Sequence, residues 1–384
     1  MNYAKIGDVC TVVSGSTPKS NVPDYWDGDI VWITPAELTE DSYIIDDSVR
    51  HITQKAVQET SLKPFPVGTV ILSSRAPIGK TAIAGREMYC NQGFKNLICS
   101  SRIYNKYLYF FLSCKTEYLN SLGRGATFKE ISKGIVEEIE IPLPDMVVQK
   151  QIADEFEQIR GLERAYHKQI STFDQLVKSR FVEMFGTYPN NPMKWETGRI
   201  RDIVEDVRYG SSRPAVEGGK YPYLRMNNIT YGGELDLTDT KHIDVPENEL
   251  EKCTVRRGDV LFNRTNSKEL VGKTCVYNRD EMMVLAGFVI RVRVTERVLP
   301  EFLSAFLNTD FSKQMLLGMC KAAIGQANIN AQELQDIGLY LPPVELQHQF
   351  VRFKAEVDKS KLAVKQSLEK LETLKKSLMQ QYFG

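Results

Sequence analysis

The sequence of 384 residues lacks long apolar runs and lacks an excess of charge of either sign. No stretch approaches the ~20 apolar residues that a membrane span needs, and the first ten residues, MNYAKIGDVC, contain no apolar signal segment. We therefore expect a cytoplasmic protein without a membrane partner. Lys and Arg together number 49, as do Asp and Glu, which argues against a protein that coats DNA with a uniformly basic surface.

The motifs of metal sites and of common catalytic centres are also missing. The seven cysteines include no C-x-x-C pair and the four histidines lie far apart, so no metal site is predicted. The sequence contains neither G-x-S-x-G nor H-E-x-x-H. Asn191-Pro192-Met193 is only a fragment of the motif of amino-methyltransferases that act on DNA, and Asp239 with Lys241 forms a lone D-x-K. These absences favour a protein that binds or organises other molecules, not an enzyme.

The tripeptide Gly-Lys-Thr, the end of a phosphate-binding loop, occurs twice, at 79–81 and 272–274. In a complete loop, G-x-x-x-x-G-K-[ST], another glycine stands five residues before the glycine of this tripeptide. Those two positions hold Ser74 and Ser267, so the backbone cannot wrap a phosphate in the usual way. We interpret both tripeptides as turns that lead into a strand of a duplicated module.

The surrounding sequence supports a duplication, because similar segments follow each other in the same order in both halves. The segment 139–152 matches 337–350 at an offset of 198. The stretches 145–186 and 343–384, which begin within these two segments, have equal length. Loops tolerate insertions well, so equal length indicates a geometric constraint. Further matched pairs are VGTVILSSR (67–75) with RGDVLFNR (257–264), IGKTAIA (78–84) with VGKTCVY (271–277), and NQGF (91–94) with LAGF (285–288).

The two equal stretches have apolar residues at spacings of three and four, which predicts a seam along one face of a helix. A helix of this length extends roughly 60 Å and cannot bury such a seam alone. We therefore expect the two helices to pack on one another, although the seam could also be domain core. The residues predicted at this contact are Ile152, Ile159, Ile170, Phe173, Phe350, Val357, Leu368 and Leu371.

The remainder of each half mixes β-rich segments with helical ones, which predicts the α+β class with two similar mixed α/β domains. The halves differ most in two segments, 36–62 and 215–254, which suggests one frame that carries two different specificities. The predicted organisation is a first domain at 1–144, a central helix at 145–186, a second domain at 187–342 and a C-terminal helix at 343–384.

Six motifs follow one another along the chain: SGSTP, DYWDGDIVWIT, GTVILSSRAPIGKTAI, NQGF, IPLPDMVVQKQIADEF and RFVEMFG. Taken in this order, they resemble the specificity subunit of type I restriction–modification systems over the whole chain. The chain departs from that family in two places. Val147 and Val148 stand where the family commonly has acidic residues, and KYPYLRMNNI (220–229) lacks the tryptophan of the first half.

The resemblance implies a non-catalytic subunit with two target-recognition domains in a pseudo-two-fold arrangement, separated by two long antiparallel helices. Each domain would read one half of an asymmetric, bipartite site in double-stranded DNA. Two methyltransferase subunits would dock on the helices and two restriction subunits would complete the complex. These partners would carry S-adenosylmethionine, ATP and Mg²⁺, so no cofactor is expected on this chain. The alternatives are a coiled-coil interaction scaffold without DNA binding and a stand-alone DNA-modifying enzyme.

Candidate DNA contacts are the Arg, Asn and Gln side chains that can read base edges, and the Lys side chains that can bind phosphates, in segments predicted to be loops. Arg75 and Arg264 stand at matched strand ends, and this recurrence fits a shared structural ion pair equally well. The candidates are Lys19, Ser20, Arg75, Lys80, Lys95, Arg124 and Lys129 in the first domain, and Arg213, Arg225, Asn227, Asn228, Arg264, Asn266, Lys268, Lys273 and Gln326 in the second.

Four glutamines recur at matched places near the starts of the long helices: Gln149, Gln151, Gln347 and Gln349. They could orient the neighbouring domain or a methyltransferase subunit. A capping role or a solvated position is equally compatible with the sequence.

Overall fold

A computed structural model of the chain describes residues 2–75, 77–125, 129–267, 270–320 and 327–384. The chain divides into two compact units. The first unit contains Met1–Tyr166 and Ser367–Gly384, and the second contains His167–Gln366. Each unit holds one mixed α/β module together with segments of the two long helices, so the α+β class predicted from the sequence is confirmed.

The first module alternates short strands with short helices. Its strands are β1 Tyr3–Lys5, β2 Cys10–Ser14, β3 Trp26–Ile33, β4 Ile44–Ile45, β5 His51–Ile52, β6 Val70–Ser73, β7 Thr81–Ala84, β8 Tyr89–Cys90, β9 Phe94–Cys99 and β10 Glu140–Pro142. Its helices are α1 Ile6–Val9, α2 Gln54–Glu59, α3 Asn105–Cys114, α4 Thr116–Leu122 and α5 Lys133–Glu137, with 3-10 turns at Pro23–Tyr25 and Pro35–Glu37. It is followed by the long helix α6, Met146–Phe185.

The second module has a similar order of elements. Its strands are β11 Glu196–Arg199, β12 Val204–Tyr209, β13 Tyr221–Leu224, β14 Lys241–Ile243, β15 Thr254–Val255, β16 Val260–Asn263, β17 Thr265–Asn266, β18 Thr274–Val276, β19 Met283–Leu285, β20 Val289–Val294, β21 Ala327–Asn328 and β22 Gly338–Leu341. Its helices are α7 Glu247–Cys253, α8 Pro300–Leu307, α9 Asp310–Met319 and α10 Ala331–Gln335, with 3-10 turns at Ile200–Ile203 and Met226–Asn228. The long helix α11, Val344–Phe383, follows.

The two modules share the order of most of their strands. The order β2-β9-β6-β7 in the first module corresponds to β12-β20-β16-β18 in the second, and β5-β3-β8 corresponds to β14-β13-β19. The pair β3–β8 of the first module and its counterpart β13–β19 of the second are both parallel. The neighbouring pairs β3–β5 and β13–β14 are both antiparallel. The duplication inferred from sequence motifs is therefore a duplication of the hydrogen-bonded backbone.

The strand register gives a residue-by-residue correspondence that differs from the sequence matching. Thr81 lies opposite Leu72, and Thr274 lies opposite Phe262, which makes the next residues, Ser73 and Asn263, equivalent. It follows that Arg264 corresponds to Ser74, not to Arg75. The expectation that Arg75 and Arg264 occupy matched positions is wrong, because matching the letter Arg shifts the alignment by one residue.

The same shift affects the NQGF and LAGF motifs. The backbone N–H of Ser74 donates to the carbonyl of Gly93 at 2.7 Å, and the N–H of Arg264 donates to the carbonyl of Phe288 at 3.0 Å. Gly93 is therefore equivalent to Phe288, although the motifs align each glycine with a glycine. A buried Phe94 in the first module contrasts with Phe288, whose side chain is 55% exposed.

The long helices α6 and α11 are antiparallel within each unit. In the first unit Phe156 of α6 stacks on Phe383 of α11, with ring centroids 5.7 Å apart. In the second unit Phe181 of α6 contacts Phe350 of α11, with centroids 5.3 Å apart. Because the residue numbers on one helix rise as those on the other fall, the helices predicted from the apolar periodicity run in opposite directions.

The residues predicted at the helix contact are largely withdrawn from solvent. The structure buries Ile152, Ile159, Phe350, Val357, Leu368 and Leu371, and leaves Ile170 and Phe173 half-buried. Ile152 and Ile159 belong to the same apolar cluster as Tyr107 and Leu108 of α3. The seam therefore joins the helices to the module core as well as to each other, so both interpretations of the pattern hold in part.

Candidate nucleic-acid interface

The two Gly-Lys-Thr tripeptides form equivalent turns. The N–H of Gly79 donates to the carbonyl of Ser73 at 3.0 Å, and the N–H of Gly272 donates to the carbonyl of Asn263 at 2.8 Å. Both glycines have positive φ, +95° and +77°, a conformation that glycine adopts readily. This geometry agrees with the interpretation of the tripeptides as turns that enter a strand.

The lysines of the tripeptides bind carbonyl groups inside their own modules. The ammonium of Lys80 donates to the carbonyl of Leu38, directly after the turn Pro35–Glu37. The ammonium of Lys273 donates to the carbonyl of Met226 at 3.0 Å, in the corresponding turn. Burial lowers the pKa of Lys273. Each lysine thus ties its strand turn to a neighbouring 3-10 turn.

In the first module several candidate residues surround the carboxylate of Glu130. Arg75 donates from Nε to Glu130 Oε2 at 2.9 Å, and the ammonium of Lys95 lies 3.2 Å from Oε1. The backbone of Arg124 pairs with that of Glu130 through two hydrogen bonds of 3.0 and 2.9 Å. Burial opposes ionisation of Glu130, but the hydrogen bonds from Arg75 and Lys95 outweigh it, so the pKa of Glu130 is lowered.

The remaining candidates of the first module differ in their accessibility. Lys95 was expected in a loop, but it lies in β9 and is only 5% exposed. That expectation of a loop is wrong, because Lys95 is paired with Leu72 in the sheet. Lys19, Ser20, Arg124 and Lys129 are exposed. DNA contact by any of these side chains stays a prediction.

In the second module four candidates line one cleft of about 510 Å³: Arg213, Arg225, Asn227 and Arg264. Phe288 and Tyr223 also line this cleft. Neither residue was among those predicted from the sequence. The cleft lies where the ends of β12 and β13 meet the segment 286–288 that leads into β20. The fold thus gathers residues that are 51 positions apart in sequence, Arg213 and Arg264, at one surface.

Two of the cleft arginines are held by carboxylates. Arg213 donates from Nη2 to Glu249 at 2.7 Å, and the ion pair raises the pKa of Arg213. Arg225 donates from Nη2 to Asp239 at 2.8 Å. Both acids belong to the segment 215–254 that differs between the halves. The divergent segment therefore orients arginines of the cleft.

Arg264 is held differently. Its guanidinium carbon lies 4.8 Å from the centre of the Tyr209 ring, a cation–π distance. The hydroxyl oxygen of Tyr209 accepts a hydrogen bond from the N–H of Ala331 at 2.8 Å. Within the described ranges Arg264 has no carboxylate within ion-pairing distance.

Other candidates of the second module have internal partners or fall outside the description. Asn228 is 2% exposed and accepts a hydrogen bond from the N–H of Arg225 at 2.8 Å. Lys273 is 7% exposed. Lys268 and Gln326 lie outside the described residues. The expectation of a loop at Asn266 is wrong, because Asn266 lies in β17 and pairs with Ala327 of β21.

Gln149 and Gln347 make the same three hydrogen bonds, each to its own module. Gln149 accepts from the N–H of Tyr104 at 2.8 Å and donates to the carbonyls of Arg102 and Pro144 at 3.1 and 2.9 Å. Gln347 accepts from the N–H of Leu299 at 2.9 Å and donates to the carbonyls of Arg297 and Pro342 at 3.1 and 2.9 Å. These buried amides join the start of each long helix to the loop before α3 or α8. Gln151 and Gln349 are exposed.

The divergent segments also contact the long helices, through a hydrogen bond in the first unit and through ion pairs in the second, and these contacts were not predicted from the sequence. In the first unit the hydroxyl of Tyr43 donates to Glu157 of α6 at 2.6 Å, and Lys106 donates to the same carboxylate at 2.8 Å. In the second unit Glu234 accepts from Lys361 and Lys365 of α11 at 2.7 and 2.6 Å. Acids and lysines are common on helix surfaces, so nothing in the sequence distinguished these.

Among the described residues no three His, Cys, Asp or Glu side chains are grouped in a way that could hold a metal ion. In the same part of the chain, no helix is long and apolar enough to span a membrane.

The sequence matches a known family twice. The profile of the family described as "Type I restriction modification DNA specificity domain" matches residues 1–172 and again residues 192–374. The chain belongs to this family. The two matches agree with the two modules found in the structure.

Curated relatives carry names of the same kind. The MjaIX specificity subunit of a type I restriction enzyme from Methanocaldococcus jannaschii is 36% identical over 258 residues, which cover 61% of this chain and 59% of that protein. The chain thus aligns with less than two thirds of the length of this relative. The EcoKI specificity subunit from Escherichia coli K12 is 24% identical over 408 residues, covering 99% of this chain and 88% of that protein.

Solved structures share the fold. A chain from a study of complex assembly and conformational transition of the type I R-M system matches with a TM-score of 0.63 at 18% identity, covering 100% of this chain and 97% of its own length. The type I restriction–modification S subunit from M. genitalium matches with a TM-score of 0.56 at 13% identity, covering 100% and 96%. The predicted resemblance to specificity subunits is confirmed.

Proposed function

We propose that this chain is the DNA sequence-recognition subunit of a type I restriction–modification complex and reads an asymmetric, bipartite double-stranded site. The observation that carries the proposal is a duplicated backbone with different side chains at equivalent positions. Arg264 replaces Ser74, and Phe288 replaces Gly93, at equivalent strand ends. Two copies of one frame bind two half-sites, and different side chains select different bases.

The cleft of the second module suits this role. Specific readout in the major groove requires a few side chains on a rigid support, and arginine and asparagine are the residues that read guanine and adenine through two hydrogen bonds. Arg213, Arg225, Asn227 and Arg264 are of these types and lie on one surface. In the first module the corresponding proposal involves Arg75, Arg124 and Lys129 beside Glu130.

The long helices would set the distance between the half-sites. Each contains 40 residues, and two-fold DNA-binding proteins read half-sites about one helical turn, roughly 34 Å, apart. Deletion of one helical turn from residues 160–178 should change the spacing between half-sites and leave the recognised bases unchanged. A change of base preference at constant spacing would contradict this part of the proposal.

The partners would be two methyltransferase subunits docked on the helices and two restriction subunits. Leucines on these helices are exposed in each unit, with Leu162 and Leu374 in the first and Leu176 and Leu362 in the second. Exposed apolar side chains on a helix are suited to a protein interface. The partners would hold S-adenosylmethionine, ATP and Mg²⁺, and this chain would position them on DNA without catalysing a step.

The decisive experiment has two parts. The recognised site is first found by mapping the methylated bases in DNA of a host that expresses this chain with its methyltransferase subunits. The chain is then purified and reconstituted with those subunits. Filter binding then compares that site with duplexes altered in either half-site, over a series of salt concentrations. We expect tight binding only when both half-sites are intact. Equal affinity for every duplex, at all salt concentrations, would overturn DNA recognition and favour an interaction scaffold. Turnover of ATP or S-adenosylmethionine by the chain alone would favour an enzyme.

A further inference from the structure

The pair Arg264 and Tyr209 distinguishes the second module from the first. In the sheet register Tyr209 lies opposite Ile290, and the equivalent pair in the first module is Ser14 opposite Lys95. Ser74 is the equivalent of Arg264, as shown by the strand pairing above. The first module therefore has two serines where the second has a stacked arginine and tyrosine.

The backbone on both sides of Arg264 is held by hydrogen bonds. Its N–H donates to the carbonyl of Phe288 at 3.0 Å, and its carbonyl accepts from the N–H of Ile329 at 2.9 Å. Tyr209 is fixed by its strand pairing and by the bond from Ala331 to its hydroxyl oxygen. The guanidinium of Arg264 thus stacks on a tyrosine ring that is held at its backbone by strand pairing and at its hydroxyl group by a hydrogen bond.

Arg264 also differs from the neighbouring arginines in its ion pairing. Arg213 and Arg225 are neutralised by Glu249 and Asp239. In the described part of the chain Arg264 has no acidic partner, and its Nε has no hydrogen-bond acceptor. Stacking restricts the plane of a guanidinium without using its N–H groups, so the terminal nitrogens remain available for an acceptor.

We propose that Arg264 reads a guanine in the half-site bound by the second module, donating two hydrogen bonds to O6 and N7. Tyr209 is a positioning residue that fixes the plane of the guanidinium. The planar fork of arginine matches the two acceptors of guanine in the major groove. This assignment rests on the proposed function as a DNA-recognition subunit.

The test uses the reconstituted complex and the site found by methylation mapping. Each guanine of the second half-site is replaced in turn by 7-deazaguanine, which lacks the N7 acceptor and retains Watson–Crick pairing. We expect one replacement to weaken wild-type binding roughly 10- to 100-fold. Arg264→Ala should bind the normal and the modified duplex with similar affinities, because alanine cannot donate to N7. Arg264→Lys can still donate to guanine but lacks the fixed fork, so it should keep only part of the sensitivity.

The variants at Tyr209 separate positioning from direct contact. Tyr209→Ala should reduce the sensitivity to 7-deazaguanine, and Tyr209→Phe, which keeps the ring, should restore most of it. Arg257→Lys serves as the matched control, because Arg257 is an exposed arginine of the same module paired with Asp280 and outside the cleft. Melting curves of each variant confirm that the module is folded.

Different results overturn different claims. If Arg264→Ala discriminates between the normal and the modified duplexes as the wild type does, another residue contacts N7 and the assignment is wrong. A second half-site that contains no guanine, or wild-type binding that is insensitive to every replacement, also overturns it while sequence recognition stands. Absence of any site preference in the wild-type complex overturns the proposed function, and this assignment with it.

Discussion

The side-chain amide of Gln149 accepts a hydrogen bond from the backbone N–H of Tyr104 at 2.8 Å. Gln347 accepts from the N–H of Leu299 in the same way at 2.9 Å. Each amide also donates hydrogen bonds to two backbone carbonyl groups. Each glutamine thus supplies hydrogen-bond partners that the backbone near the start of its long helix would otherwise lack. The recurrence of these glutamines therefore reflects the attachment of a long helix to its own module.

Removal of either amide should destabilise its unit. Gln149→Ala or Gln347→Ala leaves one buried N–H and two carbonyls without partners, and we expect the free energy of unfolding to fall by about 1–3 kcal/mol. Urea unfolding of the full chain measures the change. Gln151→Ala, at an exposed position of the same helix, is the control and should have little effect. Equal stability of Gln149→Ala and Gln151→Ala would contradict the role given to Gln149.

The contact of Glu234 with α11 should make the second unit sensitive to acid. Burial opposes ionisation of Glu234, but hydrogen bonds from Lys361 and Lys365 outweigh it and lower the pKa of Glu234 below its ordinary value of 4.5. A carboxylate with a lowered pKa contributes stability above the unfolded-state value, and this contribution is lost as pH falls through the folded-state value.

Thermal unfolding measured from pH 7 down to pH 3 tests this contribution. We expect the wild type to lose stability below about pH 4.5 more steeply than Glu234→Gln, which cannot ionise. Glu247→Gln, at an exposed position of the same unit, is the control and should follow the wild type. Parallel curves for the wild type and Glu234→Gln would show that the ion pairs with α11 do not contribute.

A fragment of residues 1–186 should associate as a dimer. In the first unit Phe383 packs against Tyr107 with centroids 5.3 Å apart, and in the second unit its counterpart Phe185 packs against Phe302 with centroids 5.0 Å apart. The fragment lacks Phe383 but retains Phe185. We expect Phe185 of each copy to occupy the vacant place in the other copy.

Analytical ultracentrifugation tests the association, and Phe185→Ala should weaken it strongly because a buried aromatic side chain contributes several kcal/mol. With methyltransferase subunits the dimer should prefer a palindromic site, since both modules are then identical. A fragment that stays monomeric and folded at micromolar concentration would argue against the exchange of helices.

The glycines of the repeated turns should be sensitive to alanine. Gly272 has φ +77°, and an added Cβ would lie 2.6 Å from Cδ1 of Leu316. Gly258 has φ +92°, but a Cβ there would meet no atom within 4 Å. Gly258→Ala should therefore cost about 1–2 kcal/mol from the backbone conformation alone, and Gly272→Ala should cost more.

Urea unfolding of both variants measures the difference. We expect the turn not to bind ATP, so ATP at millimolar concentration should leave the melting temperature of the wild type unchanged. A ligand that binds the folded state would raise the melting temperature. An increase with ATP that Gly272→Ala abolishes would favour a phosphate-binding loop over a turn.

Periodic patterns in the sequence predicted much of the architecture. Apolar residues at spacings of three and four identified α6 and α11, because a long helix repeats one local geometry and needs a continuous seam. The ordered motifs identified the family. The candidate arginines and asparagine of the cleft were identified by residue type, but they were mixed with residues such as Lys95 that the sheet buries.

What the sequence could not provide was the pairing of residues across space. Gly93 and Phe288 are equivalent because their carbonyls accept from equivalent strand ends, while the letters of the two motifs align them one residue apart. Likewise, Tyr209 lies beneath Arg264 only because β12 and β16 both flank β20.

The order of residues along the chain by itself determined the duplicated modules and the two long helices, since these depend on local periodicity and repeated segments, and its ordered motifs identified the family. Only the tertiary structure decided which arginine stacks on an aromatic ring, which is neutralised by an acid and which lysine is buried. Those outcomes depend on hydrogen-bond register between distant strands, and a shift of one residue reverses the face on which every side chain lies.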